Sequence, residues 1–260
     1  MSETKVAAQN TLKPREIADF IRRVGASRVR QPALSIVMLS ILAGVFIGLG
    51  GLAFTQVTVG TDPAFGPTRF LGGVVFSLGL ILVVVGGAEL FTGNALLIMP
   101  MTSRLISPMA MTGNWALVYV GNFAGSVLLA IVVAASGVLE GGMAERAAAI
   151  VEAKAALEWQ EALFRGILCN MLVCLAVWLS VAAKTVIGKV AAVIWPIATF
   201  VLLGLEHSVA NMYLFPQGMA AGADVGVSAF AQNLFIVTIG NIIGGALVGV
   251  AYGLAYPADR

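Results

Sequence analysis

Charge is the scarcest property of this sequence. Only 11% of its 260 residues are Asp, Glu, Lys or Arg, against about 25% in an ordinary soluble domain. A soluble globule of this size cannot cover its surface with so few charges, which excludes a soluble enzyme and a disordered chain. Cysteine is nearly absent. Cys169 and Cys174 lie five apart inside one apolar stretch, which excludes a disulfide scaffold and makes both small buried apolar residues. Histidine occurs once, as His207, too little for a His/Cys/carboxylate zinc cluster. Gly48-x-Gly50-Gly51 sits inside an apolar run with no strand before it, so it is not a nucleotide loop. No cofactor and no metal are expected. The first apolar run begins at Pro32 and is too long for the h-region of a signal peptide.

Apolar length is what the chain has instead. Residues of the set AVILMFWYC make up 59% of it, and the mean hydropathy is +0.96. Apolar stretches run over 33–59, 69–101, 113–137, 161–183, 190–215 and 228–256. Each exceeds the roughly 20 residues that cross a bilayer as a helix. No alternating ten-residue pattern of a membrane barrel is present. The expected fold is all-α and integral to the membrane, with six crossings and both termini on one side.

The placement of cations orients it. Lys5, Lys13, Arg15, Arg22, Arg23, Arg28 and Arg30 crowd the first 32 residues. With Arg104, Lys184, Lys189 and Arg260 they put eleven cations on one side, against Arg69, Arg146 and Lys154 on the other. That bias predicts cytoplasmic termini in a bacterial inner membrane. In so apolar a chain the basic segment reads as a membrane flank rather than a nucleic-acid arm. Within it, residues 14–24 read as an interfacial amphipathic helix on the cytoplasmic leaflet. Ile17, Phe20, Ile21 and Val24 share one face, and Arg15, Asp19, Arg22 and Arg23 the other. The expected organisation is a cytoplasmic segment over 1–32, a channel domain over 33–256 and a tail over 257–260.

The chain also repeats itself. Gly87-Ala88-Glu89-Leu90-Phe91-Thr92-Gly93-Asn94 matches Gly204-Leu205-Glu206-His207-Ser208-Val209-Ala210-Asn211, both reading G-x-E-x-x-x-x-N. Gly121-Asn122-Phe123-Ala124-Gly125-Ser126 matches Gly240-Asn241-Ile242-Ile243-Gly244-Gly245. Two matches in order imply two three-span halves, and an odd number of spans per half implies an inverted repeat. Each half carries one carboxylate at membrane depth, which costs about 2.5–3.5 kcal/mol on insertion scales. Spans two and five are therefore expected to break, near 87–91 and 205–207. Glu89 and Glu206 are expected to accept hydrogen bonds from freed backbone N–H groups, with Asn94 and Asn211 supporting them. Thr92 and Ser208 are expected to cap the second half-helices. The carboxylates either brace the breaks alone or also serve a conducted solute. The glycines of spans one, three and six read as close-packing ridges.

Four stretches resemble signatures of the formate/nitrite transporter family. They are Glu89-Leu90-Phe91-Thr92-Gly93-Asn94, Cys169-Asn170-Met171-Leu172-Val173-Cys174-Leu175-Ala176-Val177-Trp178, Glu206-His207-Ser208-Val209-Ala210-Asn211-Met212 and Asn233-Leu234-Phe235-Ile236-Val237-Thr238-Ile239-Gly240-Asn241. The resemblance covers about 33–256. It implies a homopentamer of aquaporin-like protomers, each with its own pore for small monovalent anions such as formate, nitrite or hydrosulfide. It implies that His207 is the central pore histidine, Thr92 the threonine facing it and Asn170 an asparagine near it. It assigns Leu80, Phe76 and Phe200 to apolar constrictions and Lys154 to the outer vestibule.

The physical task such a pore faces is to move a charge through a low-dielectric constriction. Formate, nitrite and hydrosulfide all have neutral conjugate acids, which cross far more cheaply. Lys154 and Arg146 are placed to attract anions, against the opposing charges of Glu140, Glu145, Glu152 and Glu158. A dry funnel of Leu80, Phe76 and Phe200 then gates passage. His207, with Thr92 and Asn170, donates hydrogen bonds or a proton at the centre. The rivals are an aquaporin-like neutral-solute pore, which lacks its Asn-Pro-Ala motifs here, and an intramembrane enzyme, for which Ser208 beside His207 is a poor nucleophile.

Overall fold

The computed structural model describes residues 11–258. Lys5 and Arg260, counted above for orientation, lie outside the described residues, as does half of the 257–260 tail. The chain is helical. An amphipathic helix α1 (Pro14–Arg28) precedes α2 (Ala33–Val57) and α3 (Gly66–Gly86). A break follows, then α4 (Phe91–Asn94), a 3-10 turn (Ala95–Leu97) and α5 (Ile98–Thr102). The rest is α6 (Pro108–Ala135), α7 (Gly141–Ala155), α8 (Trp159–Ala182), α9 (Val186–Leu202), a second break, α10 (Ser208–Ala220) and α11 (Val227–Ala255).

Among the described residues five helices are long and apolar enough to cross a membrane: α2, α3, α6, α8 and α11. The chain is a multi-pass membrane protein. The fifth expected span is divided. Its first piece, α9, has 17 residues, about 25 Å of helix against a hydrocarbon core of about 30 Å. Span two is divided as well, at residues 87–90, as the carboxylate pattern predicted.

Two glycines explain where the breaks fall. Gly87 at φ +83° and Gly204 at φ +65° take the left-handed conformation that ends a helix. The Gly87 N–H reaches the Val83 carbonyl at 3.1 Å, and the Gly204 N–H reaches that of Val201 at 3.0 Å. The chain then runs extended until Leu90 and His207, the N-cap residues of α4 and α10.

Packing follows the small-residue ridges. Helix α2 lies along α6, α8 along α11, and α3 along α9. A Cβ added at Gly125 would strike the Ile41 carbonyl, and one added at Gly244 would strike that of Ile167. These ridges bring backbones together within one protomer.

Helix α1 runs four residues further than expected. Its start is set by Pro14 and by Glu16, whose carboxylate accepts the Lys13 N–H at 2.7 Å. Ile17, Ala18 and Ile21 bury against Ala95, Leu96, Met99, Trp178 and Val248. Arg22, expected on the polar face, is buried instead. It donates to Asp19 at 2.9 Å and to the carbonyls of Gly253 and Tyr256. Those carbonyls end α11 and have no helical partner of their own, which is what draws a guanidinium inward.

Candidate functional site

The two breaks converge at the centre of the protomer. The first freed N–H of each second half-helix is taken by an asparagine from a neighbouring span. Asn122 Oδ1 accepts from Phe91 N at 2.9 Å, and its Nδ2 donates to the carbonyls of Ser40 and Glu89. Asn241 repeats this, accepting from Ser208 N at 2.8 Å and donating to the carbonyls of Gly166 and Glu206. Both asparagines are fully buried. The repeated G-N-x-x-G motif thus fastens each break, a role that its glycines alone do not suggest.

The carboxylates brace the breaks by another route than expected. Glu89 and Glu206 take side-chain donors rather than freed backbone N–H groups. Glu206 accepts from Lys154 Nζ at 2.7 Å on one oxygen and from Asn211 Nδ2 at 2.7 Å on the other. Glu89 accepts from Asn94 Nδ2 at 2.7 Å and faces the Arg28 Nε at 3.4 Å. Asn94 and Asn211 each donate onward, to Asn114 at 3.0 Å and Asn233 at 2.8 Å. Sequence reading missed Asn114, Asn122 and Arg28 as parts of this frame. The G-N-x-x-G repeat was the signal for Asn122; Arg28 had none.

The cap assignments also change. His207, not Ser208, is the N-cap of α10, and its Nδ1 accepts from Ala210 N at 3.0 Å. The Ser208 hydroxyl is buried without a partner among the described residues. Thr92 caps nothing, because Leu90 is the N-cap of α4. Its hydroxyl instead meets His207 Nε2 at 2.9 Å, across 115 positions of sequence. Cys174 Sγ supports the Thr92 carbonyl at 3.6 Å. This geometry selects a tautomer. With a backbone N–H pointing at Nδ1, that nitrogen has no proton, so the neutral imidazole carries its proton on Nε2. His207 is therefore a hydrogen-bond donor at the centre.

A cavity of about 240 Å³ ends on His207. Phe76 and Phe200 form part of its wall, ring centres 5.5 Å apart and edge to face, and Phe200 stacks on His207 at 6.0 Å. Lys154 and Glu206 line it too. The lysine expected in the outer vestibule is paired with the break carboxylate. Leu80 is buried in the same apolar cluster but does not line the cavity. A smaller cavity of about 50 Å³ ends on Gly93 and Asn94, beside Thr92, and is lined by α1 residues including Arg28. No residue lines both cavities. Asn170 stands one step back: its Nδ2 donates to the Asn241 carbonyl at 2.6 Å, and its Oδ1 is buried without a partner among the described residues.

The family model described as formate/nitrite transporter matches residues 15–255. A formate channel FocA of Haemophilus influenzae is 36% identical, over 96% of this chain and 96% of its own. An uncharacterised transporter, YrhG of Bacillus subtilis, is 38% identical over 94% and 93%. Among solved structures, an FNT family ion channel matches with a TM-score of 0.84 at 29% identity, over 94% of this chain and 98% of that one. A pentameric formate channel with formate bound matches at 0.78 and 35%, over 87% and 98%.

Proposed function

The chain belongs to the formate/nitrite transporter family and is a transport protein, not an enzyme; from that premise we propose that each protomer conducts formate through the path between the two cavities. The observation that carries this reading is the buried contact between Thr92 and His207 at the end of the larger cavity. A small oxyanion that enters there separates the two groups. It accepts the Nε2–H of His207 and the hydroxyl of Thr92 in place of their mutual bond. Two donors in a low-dielectric site stabilise the anion where water is excluded. They hold it while it takes a proton from water that enters the larger cavity with it, driven by the inward proton gradient, and it passes on as the neutral acid while His207 keeps its own proton.

The Nδ1 cap bears on the role of the histidine. An imidazolium would have to give up the Ala210 N–H, so His207 works as a donor that keeps its proton. Nitrite fits the same two donors. The protomer crosses the membrane six times as an inverted repeat with cytoplasmic termini, and five protomers assemble, as in the formate-bound relative. Leu80, Phe76 and Phe200 form the dry gate, and Asn170 positions Asn241 behind it. A reporter fused after Arg260 checks orientation, with a periplasmic signal overturning it. Native mass spectrometry checks the pentamer, with a stable monomer overturning it.

The main test is uptake of labelled formate into proteoliposomes under an inward proton gradient. His207→Asn keeps an N-cap acceptor, so the variant assembles with a stability change under about 1 kcal/mol. It lacks the Nε2–H, so gradient-driven uptake falls at least about tenfold. A well-assembled His207→Asn protein with wild-type flux at every pH would overturn the central-histidine mechanism.

A further inference from the structure

The larger cavity carries more positive charge than its lysine. Arg69, Arg146 and Arg165 line it together with Lys154, and Glu206 is the one carboxylate among its lining residues. Glu206 is already committed to Lys154 and Asn211. The three arginines come from three elements: the first turn of α3, the middle of α7 and the first half of α8. They sit at the rim of the second break. The point a Cβ would occupy at Gly204 lies 2.8 Å from Arg69 Nη2 and 4.0 Å from Arg165 Nη1.

Their partners within the protein leave donors to spare. The Arg69 side chain makes no hydrogen bond or ion pair among the described residues. Arg146 is held by its Nε, which donates to the buried Thr58 hydroxyl at 2.9 Å. That contact fixes the guanidinium plane and leaves the edge formed by its two Nη groups free. Among the described residues the Arg165 side chain has only a long contact to the Gly204 carbonyl at 3.5 Å and a distant, exposed Glu161 at 3.8 Å. Arg69 and Arg146 also repel each other. Burial and the Arg69 charge both lower the pKa of Arg146, burial more. Like charges gathered around a cavity with no free carboxylate call for an anion from outside.

The geometry points to a second anion site at this rim, built by Arg69 and Arg146 with Arg165 beside them, which takes planar two-oxygen monoanions such as small carboxylates before they reach His207. The inference rests on the reading of this cavity as the mouth of an anion path. A guanidinium edge offers two parallel N–H donors, which match a carboxylate or nitrite and have no match in a one-atom anion such as hydrosulfide or chloride. The site therefore selects by shape as well as by sign. Lys154 cannot supply this, because an ammonium is a point charge and is already paired.

The test uses the full-length protein in two arms. In proteoliposomes, the concentration dependence of formate uptake is measured for Arg69→Gln, Arg69→Lys, Arg146→Gln and Arg146→Lys. In detergent, binding of ¹³C-formate to the same proteins is followed by line broadening, with nitrite or chloride as competitor. Each Gln variant is expected to raise the half-saturating formate concentration about tenfold with maximal flux retained. The Lys variants keep the charge but lose the fork, so they remain several-fold weaker than wild type. Nitrite displaces formate, and chloride at equal concentration does not. Half-saturation restored fully by lysine would reduce the cluster to a steering field and overturn the site. Unchanged half-saturation in the Gln variants, or equal displacement by chloride, would overturn it too. Where Arg146→Gln fails to assemble, the Arg69 pair decides, since Arg69 braces nothing. The two readings fail separately. A wild-type protein that binds formate through these arginines but does not conduct it would sink the channel and keep the site. Normal conduction with arginine-independent binding would do the reverse.

Discussion

The break at 87–90 and the break at 203–207 are built from one plan and do different things. Each turns on a left-handed glycine, Gly87 or Gly204. In each, a buried asparagine from a neighbouring span ties the exposed backbone, and a Glu–Asn pair five apart is held by a cation from a 15-residue helix. The difference lies in the residue that follows the glutamate. In the first break it is Leu90, the N-cap residue of α4, whose side chain accepts no hydrogen bond. In the second it is His207, which caps α10 and still has Nε2 to offer. Thr92 answers it from the first half, where the second half has Val209. The frame is duplicated because backbone at membrane depth must be satisfied twice. The Thr92–His207 contact is single, as the proposed reading requires of one solute passing one point.

Breaking the frame has the largest effect. Asn122→Ala and Asn241→Ala each remove three buried hydrogen bonds and leave their partners unsatisfied. The expected cost is on the order of 3–6 kcal/mol in either half, read as a fall in Tm of roughly 10 °C or more and loss of assembled protein. Near-equal losses in the two variants support the shared plan; a tolerated change at either asparagine would break it.

The cations sharpen the contrast at a smaller scale. Lys154 meets Glu206 at 2.7 Å with its side chain 16% exposed, whereas Arg28 meets Glu89 at 3.4 Å with 35% exposed. Lys154→Ala leaves a buried charge unpaired, at about 3–5 kcal/mol. Arg28→Ala costs about 2 kcal/mol, because water reaches the ion pair but the Nη1 bond to the buried Asn94 Oδ1 at 2.9 Å is lost as well. Thermal unfolding of the two variants should separate them by several degrees, and Lys154→Ala combined with Glu206→Gln should recover most of the loss. Equal destabilisation by the two single variants would argue against this asymmetry.

The glycines give the smallest effect. Gly87→Ala puts a Cβ at positive φ with no atom within 4 Å, while the same change at Gly204 also meets the Arg69 guanidinium. Each costs about 1–2 kcal/mol from the backbone. A flexible side chain end yields cheaply, so the two should be close in Tm. They should differ in formate affinity, since only Gly204→Ala displaces Arg69. Equal affinities would separate Arg69 from the path.

Much of this was legible from the order of residues alone. Helical spans follow from apolar length, because a bilayer fixes the length it accepts. The two breaks follow from Gly87, Glu89, Gly204 and Glu206, because a buried carboxylate beside a helix-ending glycine has no other cheap explanation. His207 stood out as the single imidazole at one such place. What the order of residues did not reveal is who answers whom. The Asn122 and Asn241 braces, the pairing of Lys154 with Glu206, the inward turn of Arg22 and the meeting of Thr92 with His207 join positions far apart in the chain. A hydrogen bond depends on tenths of an ångström and on direction, and only the packing of α2 on α6, α8 on α11 and α3 on α9 fixes those. The proton on Nε2 was likewise decided by folding, since the Ala210 N–H comes to point at Nδ1 only once His207 ends the break and α10 begins.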